Sequence, residues 1–279
     1  MFQVTGGNKG IGYGIVKNLC EQYSGTVYLT ARDEGRGKAA VQSLNKLGLK
    51  PEFHQLDVDS DESVKKFAAF IKEKHGGLDV LVNNAAIAFK NDATDPFGHQ
   101  AEVTLKTNYF SLLRVCNALM PLLRPHARVV HLSSSAGHLL RIPGEDLRKK
   151  FSDPNLTVDE LSKLMNKFIE DAKRGDYLNH GWPNSCYVVS KVGVSALTMI
   201  QAREIKDDPR EDIVINCVHP GYVDTDMTSH KGPLTIEQGA DAPTYLALLP
   251  ENCTSPKGDY IWHNRKIVDW VHGPTPGPV

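Results

Sequence analysis

A single-domain α/β chain built on a parallel, doubly wound sheet flanked by helices is what this sequence predicts, and three observations predict it. Short apolar runs rich in β-branched residues alternate with segments whose apolar residues recur three or four apart. Strand, helix, strand repeated in this way buries the strands on both faces, which is the pattern of a parallel sheet. The first run also ends in a glycine-rich turn that opens directly into a helical pattern.

The elements follow in order. Phe2 to Thr5 reads as a first strand, shorter than usual, and Ile11 to Tyr23 as the first helix. Val27 to Thr30, Phe53 to Leu56, Val80 to Val82, Val129 to Leu132 and Ile213 to Val218 read as buried strands. Gly37 to Leu47, Glu62 to His75, Leu112 to Leu123 and Val188 to Ile205 read as helices packed on the sheet. The stretch 138–183 breaks the alternation with two helical patterns, Glu145 to Phe151 and Val158 to Arg174, and no strand between them, so a helical insertion is expected there. The tail 273–279, almost entirely Gly, Pro and Thr, is expected to be a disordered end.

Composition excludes several function classes. The chain has 279 residues, 41% apolar and 23% charged, with a formal net charge of -1 and no long basic run. That leaves no electrostatic footprint for nucleic acid or for an anionic membrane surface, and favours a small neutral molecule as partner. The opening segment lacks the charged and apolar pattern of a secretory leader, and no apolar run approaches the roughly 18 residues of a membrane span. Cys20, Cys116, Cys186, Cys217 and Cys253 are odd in number, scattered and without a Cys-x-x-Cys pair. This argues against a disulfide framework and a metal site, and points to a cytoplasmic setting.

The turn Thr5-Gly6-Gly7-Asn8-Lys9-Gly10-Ile11-Gly12 carries the first chemical signal. Glycines let backbone approach a pyrophosphate, and the helix N-terminus offers free N–H groups with a favourable dipole. Dinucleotide binding through Gly6, Asn8, Lys9, Gly10, Ile11 and Gly12 is therefore expected. The choice of cofactor turns on the end of the second strand, Leu29-Thr30-Ala31-Arg32-Asp33. Arg32 and Lys9 are suited to a 2′-phosphate, which favours NADPH. Asp33 lies at a distance that also fits a ribose-binding carboxylate, unless it caps the next helix and points elsewhere. Asp57, after the third strand, is a candidate adenine contact.

Tyr187 and Lys191 lie four apart and hence on one face of a helix. A phenol loses its proton near pH 10, so a neighbouring cation is needed to make it a usable acid. Alone this spacing is common, but Ser133-Ser134-Ser135 at the end of the fifth predicted strand and Asn108 accompany it. Ligands of such sheets bind beyond the carboxyl ends of the strands, where the serines should lie. Cys186, beside the tyrosine, reads either as a small packing residue or as a member of the substrate pocket.

Thr5 to Gly12, Asn83-Asn84-Ala85, Asn108, Ser134, Tyr187 with Lys191, and Pro220-Gly221 together resemble the short-chain dehydrogenase/reductase family, through nearly the whole chain. Phe53 to Asp57, Leu164 to Phe168 and Tyr245 to Leu249 are similar to its monomeric animal NADPH-dependent carbonyl reductases, as is the long separation between Ser134 and Tyr187. The resemblance implies a Rossmann-like fold and reduction of aldehydes, ketones and quinones. Tyr187 would donate the proton, Ser134 would bind the substrate carbonyl, Lys191 would hold the ribose and lower the tyrosine pKa, and Asn108 would position Lys191 through a water. Pro220, Gly221, Val223, Asp224 and Thr225 would lie at the nicotinamide end, Asn84 would reach the cofactor from the fourth strand, and Asp57 and Val58 would line the adenine pocket. Ser134 is preferred to Ser133 and Ser135 by the family pattern, so that Ser133 should point into the sheet.

The resemblance further implies that Phe89, Lys90, Asn91 and Gln100 bind glutathione or its conjugates, and that the insertion covers a surface used elsewhere for tetramers, leaving a monomer. The chain departs from the family at Ala86, where a glycine is usual, and from its near relatives at Tyr222 and His219, close to the substrate entrance. His219 reads as packed or capping. Two other functions remain open: a narrower alcohol, steroid or prostaglandin dehydrogenase, and a non-catalytic NADPH-binding partner protein.

Overall fold

The computed structural model describes residues 1–90 and 92–276, and its sheet follows the alternation in the sequence. The chain runs through β1 (Phe2–Val4), α1 (Gly10–Gln22), β2 (Val27–Ala31), α2 (Glu34–Asn45), β3 (Glu52–Gln55), α3 (Asp61–His75) and β4 (Leu78–Asn83). α4 (Phe97–Leu105) continues through a π-helical turn, Lys106–Ser111, into α5 (Leu112–Leu119), and β5 (Leu123–Leu132) follows. Then come α6 (Glu145–Phe151), α7 (Val158–Arg174), α8 (Cys186–Glu204), β6 (Val214–Val218), α9 (Ile236–Ala247) and a closing pair, β7 (Tyr260–Ile261) and β8 (Ile267–Val268).

The sheet order is β3-β2-β1-β4-β5-β6-β7-β8. Neighbours are parallel except β7 with β8. The strand order reverses between β1 and β4, so the crevice beyond Val4 and Asn83 is the topological switch point at which such sheets bind ligands. The short β1 is nonetheless central, paired on one side with β2 and on the other with β4.

Strand alternation divides the core between the two faces. Val4, Leu29, Val80, Val82, Val130 and Val218 pack against α1, α2 and α9 through Ile15, Leu19, Leu44 and Leu246. Tyr28, Leu81, Val129 and Ile215 turn to the other face and meet Phe67 and Ile71 of α3 and Val115 and Leu119 of α5.

The predicted strands and helices are present with ends shifted by a few residues, except that β5 begins at Leu123 and the helix ending before it is correspondingly shorter. Four elements were missed. α4 was hidden by Gly98 and Thr104, poor helix formers whose low propensity is overridden by packing against α7 and α8. α9 carries Gly239 and Pro243, which read as breakers, although the capping box Thr235 to Gln238 announces its start. β7 and β8 are two residues each, too short to show alternation.

The insertion is helical. α7 starts on the capping box of Thr157 and Glu160 and ends on the left-handed Gly175. It lies over α4 and α8: Phe168 packs on Phe97 and Trp182, and Met165 sits so close to Gly193 that a Cβ there would be 2.7 Å from its sulfur. Trp182 is fully buried and donates its indole N–H to Asp171 at 2.8 Å. No helix among the described residues is long and apolar enough to cross a membrane, and all five cysteines carry free thiols. Of the tail expected to be disordered, 273–276 has no regular structure, and 277–279 lies outside the described residues.

Candidate active site

The glycine turn is shaped by contacts that tolerate no side chain. Gly6 (φ +62) and Gly10 (φ +56) are left-handed, a conformation that L side chains rarely adopt. A Cβ on Gly12 would stand 2.4 Å from Asn84 Nδ2 and 2.5 Å from the Gly6 carbonyl oxygen. Asn84 secures the turn from β4, donating Nδ2 to the carbonyls of Thr5 (2.9 Å) and Gly6 (3.2 Å). The Thr5 hydroxyl in turn accepts from the main-chain N–H groups of Asn84 and Ala85, each at 2.9 Å. No side chain caps the N-terminus of α1. Its first-turn N–H groups therefore keep their affinity for an anion, and the cradle fits a dinucleotide pyrophosphate.

Asp33 resolves the choice left open by its position: it caps α2, accepting from Arg36 N at 2.8 Å. Arg32 is exposed at the end of β2, and among the described residues its guanidinium has no hydrogen-bond or ion-pair partner. Lys9 departs from expectation. Its ammonium pairs with Asp226 at 2.8 Å, in the loop after β6, because that loop crosses the glycine turn with Thr225 Cγ2 only 3.5 Å from where a Gly10 Cβ would stand. Asp57 and Val58 are half-buried just beyond β3. The Val223 side chain is buried against Gly239 of α9. Gly221 (φ +92) makes the turn after Pro220, and Asp224 pairs with His230 at 2.6 Å.

Across the crevice, Ser134 lies at the end of β5, and Tyr187 and Lys191 occupy the first two turns of α8, whose cap is Ser185. A strand end and a helix start are thereby brought together, although the insertion separates them in sequence. Burial raises the Tyr187 pKa above that of a free phenol, while the neighbouring Ser134 hydroxyl pulls it down. Lys191 is buried and its ammonium is pushed down to about 8 by desolvation. Nζ donates to the Leu132 carbonyl at 2.7 Å and lies 5.7 Å from the centre of the Tyr187 ring. Burial, not the lysine, is thus the larger influence on the tyrosine, which keeps its proton near neutral pH.

Ser133, expected to point into the sheet, turns its buried hydroxyl to α8, bonding Ser195 Oγ at 2.7 Å. Asn108 sits in the π turn, where one extra residue per turn rotates the following side chains by about 100° relative to an α-helix. It is buried and clamps Ile87, accepting from its N–H at 2.8 Å and donating to its carbonyl at 2.9 Å, and it donates to Ser190 Oγ at 3.0 Å. Its protein partners therefore place it on the residue before Lys191. Behind the site, the buried His131 accepts from Asn83 Nδ2 at 3.1 Å and so donates Nε2–H to Gln201 at 2.8 Å. Burial holds its pKa down to about 4, and the neutral ring ties β4 and β5 to α8.

The expected substrate residues separate. Phe89 packs edge-on to His99. Lys90 does not face the crevice but holds the loop after β6, donating to the Asp226 carbonyl and to Ser229 Oγ. Gln100 donates its side-chain amide to the Asp95 carbonyl just ahead of its own helix, at 2.8 Å. Cys186 is a packing residue: its thiol is buried beside Phe97 and pushed up to about 12. Tyr222 is exposed. Asn91 lies outside the described residues. His219 is buried against Trp262 and accepts from Gly221 N, and burial lowers its pKa to about 3, so it is a neutral packing and capping residue.

Comparison with known proteins accords with this geometry. The short chain dehydrogenase profile matches residues 1–144 and 177–233, omitting most of the insertion. The chain is 50% identical to mouse (Mus musculus) carbonyl reductase (NADPH) 3 over 269 residues, 96% of this chain and 97% of that protein. It is 48% identical to rat (Rattus norvegicus) carbonyl reductase (NADPH) 1 over the same shares. Salutaridine reductase of Papaver somniferum superimposes with a TM-score of 0.83 at 32% identity, covering 92% of this chain and 98% of that one.

Proposed function

The chain belongs to the short-chain dehydrogenase family, and from that membership we infer that it reduces aldehydes, ketones and quinones with NADPH, Tyr187 serving as proton donor. The observation that carries this reading is the convergence of Ser134, Tyr187 and Lys191 on the crevice that the glycine turn opens. When bound, NADPH supplies the hydride, and its pyrophosphate suits the first turn of α1. Arg32 is the residue suited to the 2′-phosphate, and Asn84 acts by holding the shape of the turn.

The remaining work falls to the protein. Ser134 directs its hydroxyl at the substrate carbonyl oxygen, where negative charge develops, and Tyr187 delivers its proton to that oxygen to give the alcohol. A phenol with a raised pKa is the right form for a donor, since it stays protonated near neutrality. Lys191, charged below about pH 8, stabilises the phenolate that remains. Asn108 keeps α8 in register with the loop at Ile87, supporting Lys191 from behind.

A monomer is supported by α7, which lies over α4 and α8. A cytoplasmic setting is supported by the five free thiols. Recognition of glutathione conjugates has less support, because Lys90 and Gln100 are engaged elsewhere.

The test follows NADPH oxidation with menadione and an aromatic ketone. Tyr187→Phe should bind NADPH almost unchanged while turnover falls by about two orders of magnitude or more, the scale of a lost positioned acid. Full activity in that variant would remove Tyr187 from the chemistry. Tight NADPH binding without turnover in the unaltered protein would favour a narrow-substrate enzyme or a cofactor-binding partner protein.

A further inference from the structure

The loop that carries Ser134 is held from an unexpected direction. Its main-chain oxygen accepts two hydrogen bonds, one from Gly137 N within the 3-10 turn Ser135–Gly137 (2.8 Å) and one from the hydroxyl of Tyr260 in β7 (2.5 Å). Two further bonds come from the same C-terminal region. Trp270 donates its indole N–H to the Gly137 carbonyl at 2.7 Å, and His138 donates Nε2–H to the Asp269 carbonyl at 3.1 Å. His138 Nδ1 accepts from Leu140 N, which fixes that tautomer. Tyr260, Trp270 and His138 are all buried.

We propose that Tyr260 is a positioning residue for proton transfer, its hydroxyl setting the direction in which the Ser134 side chain faces Tyr187. This rests on the reductase reading given above. Ser134 Oγ is also within reach of its own turn, accepting from Ala136 N at 3.2 Å. Serine side chains readily satisfy themselves in such local bonds. Tyr260 fixes the Ser134 main chain from outside the loop, and with it the position from which Oγ, held by Ala136 N, faces the phenol. The Tyr260 hydroxyl is always a donor in this role, because burial drives its pKa far above the ordinary phenol range.

Tyr260→Phe isolates the hydroxyl, since the ring keeps its edge contacts with His138 and Trp262. In the full-length protein at saturating NADPH, Tyr260→Phe should lower kcat about tenfold, as small misplacements of reacting groups do. The dissociation constant for NADPH should stay within about twofold. In a Ser134→Ala background the same substitution should have almost no further effect, because a residue acting through Ser134 has nothing left to position. Amide exchange at Ala136 and Gly137 should quicken in Tyr260→Phe. Equal fold losses in the two backgrounds, an unchanged kcat, or unchanged exchange at those amides would each overturn the proposal. Absence of NADPH-dependent turnover in the unaltered protein overturns the reductase reading instead, and the exchange measurement then still decides whether Tyr260 holds the loop; an unchanged kcat in Ser134→Ala alone leaves that reading standing and overturns the positioning proposal.

Discussion

Replacing Arg32 by Asp should shift cofactor preference from NADPH towards NADH, and the structure sets the size of the effect. Arg32 is exposed at the end of β2 and free of protein partners among the described residues, so its guanidinium can turn to a 2′-phosphate without breaking another bond. Lys9 is held by Asp226, and Asp33 is committed to the N-terminus of α2. The selectivity therefore falls mainly on one side chain. A hydrogen bond to a charged group contributes about 1.5–3 kcal/mol, and exposure to solvent and salt keeps this one near the lower end. At about 1.4 kcal/mol per factor of ten, losing it weakens NADPH binding about 10- to 30-fold. The new carboxylate adds repulsion towards the phosphate and a hydrogen-bond acceptor for a free ribose hydroxyl. The ratio of kcat/KM for NADPH over NADH, measured at one ionic strength, reads the result. Asp33→Ala is the control: it should cost about 0.5–2 kcal/mol of stability through the lost cap while leaving that ratio alone. A ratio in Arg32→Asp within about twofold of the unaltered protein would refute the assignment and imply that Lys9 leaves Asp226 to read the phosphate.

Two further predictions concern the same crevice. Lys191, with its pKa lowered to about 8, should make kcat/KM fall as pH rises through that value, since this parameter reports the free enzyme; a profile flat to pH 10 would remove the ammonium from the mechanism. The stability contribution has the opposite slope. Below about pH 8 the lysine is charged in both states and its burial penalty is complete, and between about 8 and 10.5 only the unfolded chain holds the proton, so this group makes stability rise with pH across that window. Gly12→Ala should destabilise by about 1–3 kcal/mol and weaken NADPH binding together, because the added methyl cannot fit between Asn84 Nδ2 and the Gly6 carbonyl; unchanged melting temperature and affinity would show that the turn yields.

The sequence by itself determined the first six strands of the sheet, the glycine turn and the pairing of Tyr187 with Lys191, because each depends on local chemistry. Alternating apolar runs specify buried strands, glycines specify a turn that only they can adopt, and Tyr187 and Lys191 share a helix face by spacing alone. Asp33 shows the limit of that kind of reading. Its distance from the turn suits both a ribose contact and a helix cap, and only the start of α2 at Glu34 decides for the cap. Tertiary structure alone decided what depends on partners distant in sequence. Lys9 and Lys90 are drawn to the loop at Asp226, Cys186 turns into the core beside Phe97, and Asn108 reaches Ile87 and Ser190 from a π turn without a sequence signature. α4 and α9 form against their own glycines and proline because packing on the sheet and on neighbouring helices outweighs propensity. The hold of Tyr260 on Ser134 joins residues 126 positions apart, through a strand too short to be seen as one; no local pattern encodes a contact that exists only once the sheet has closed on its last strands.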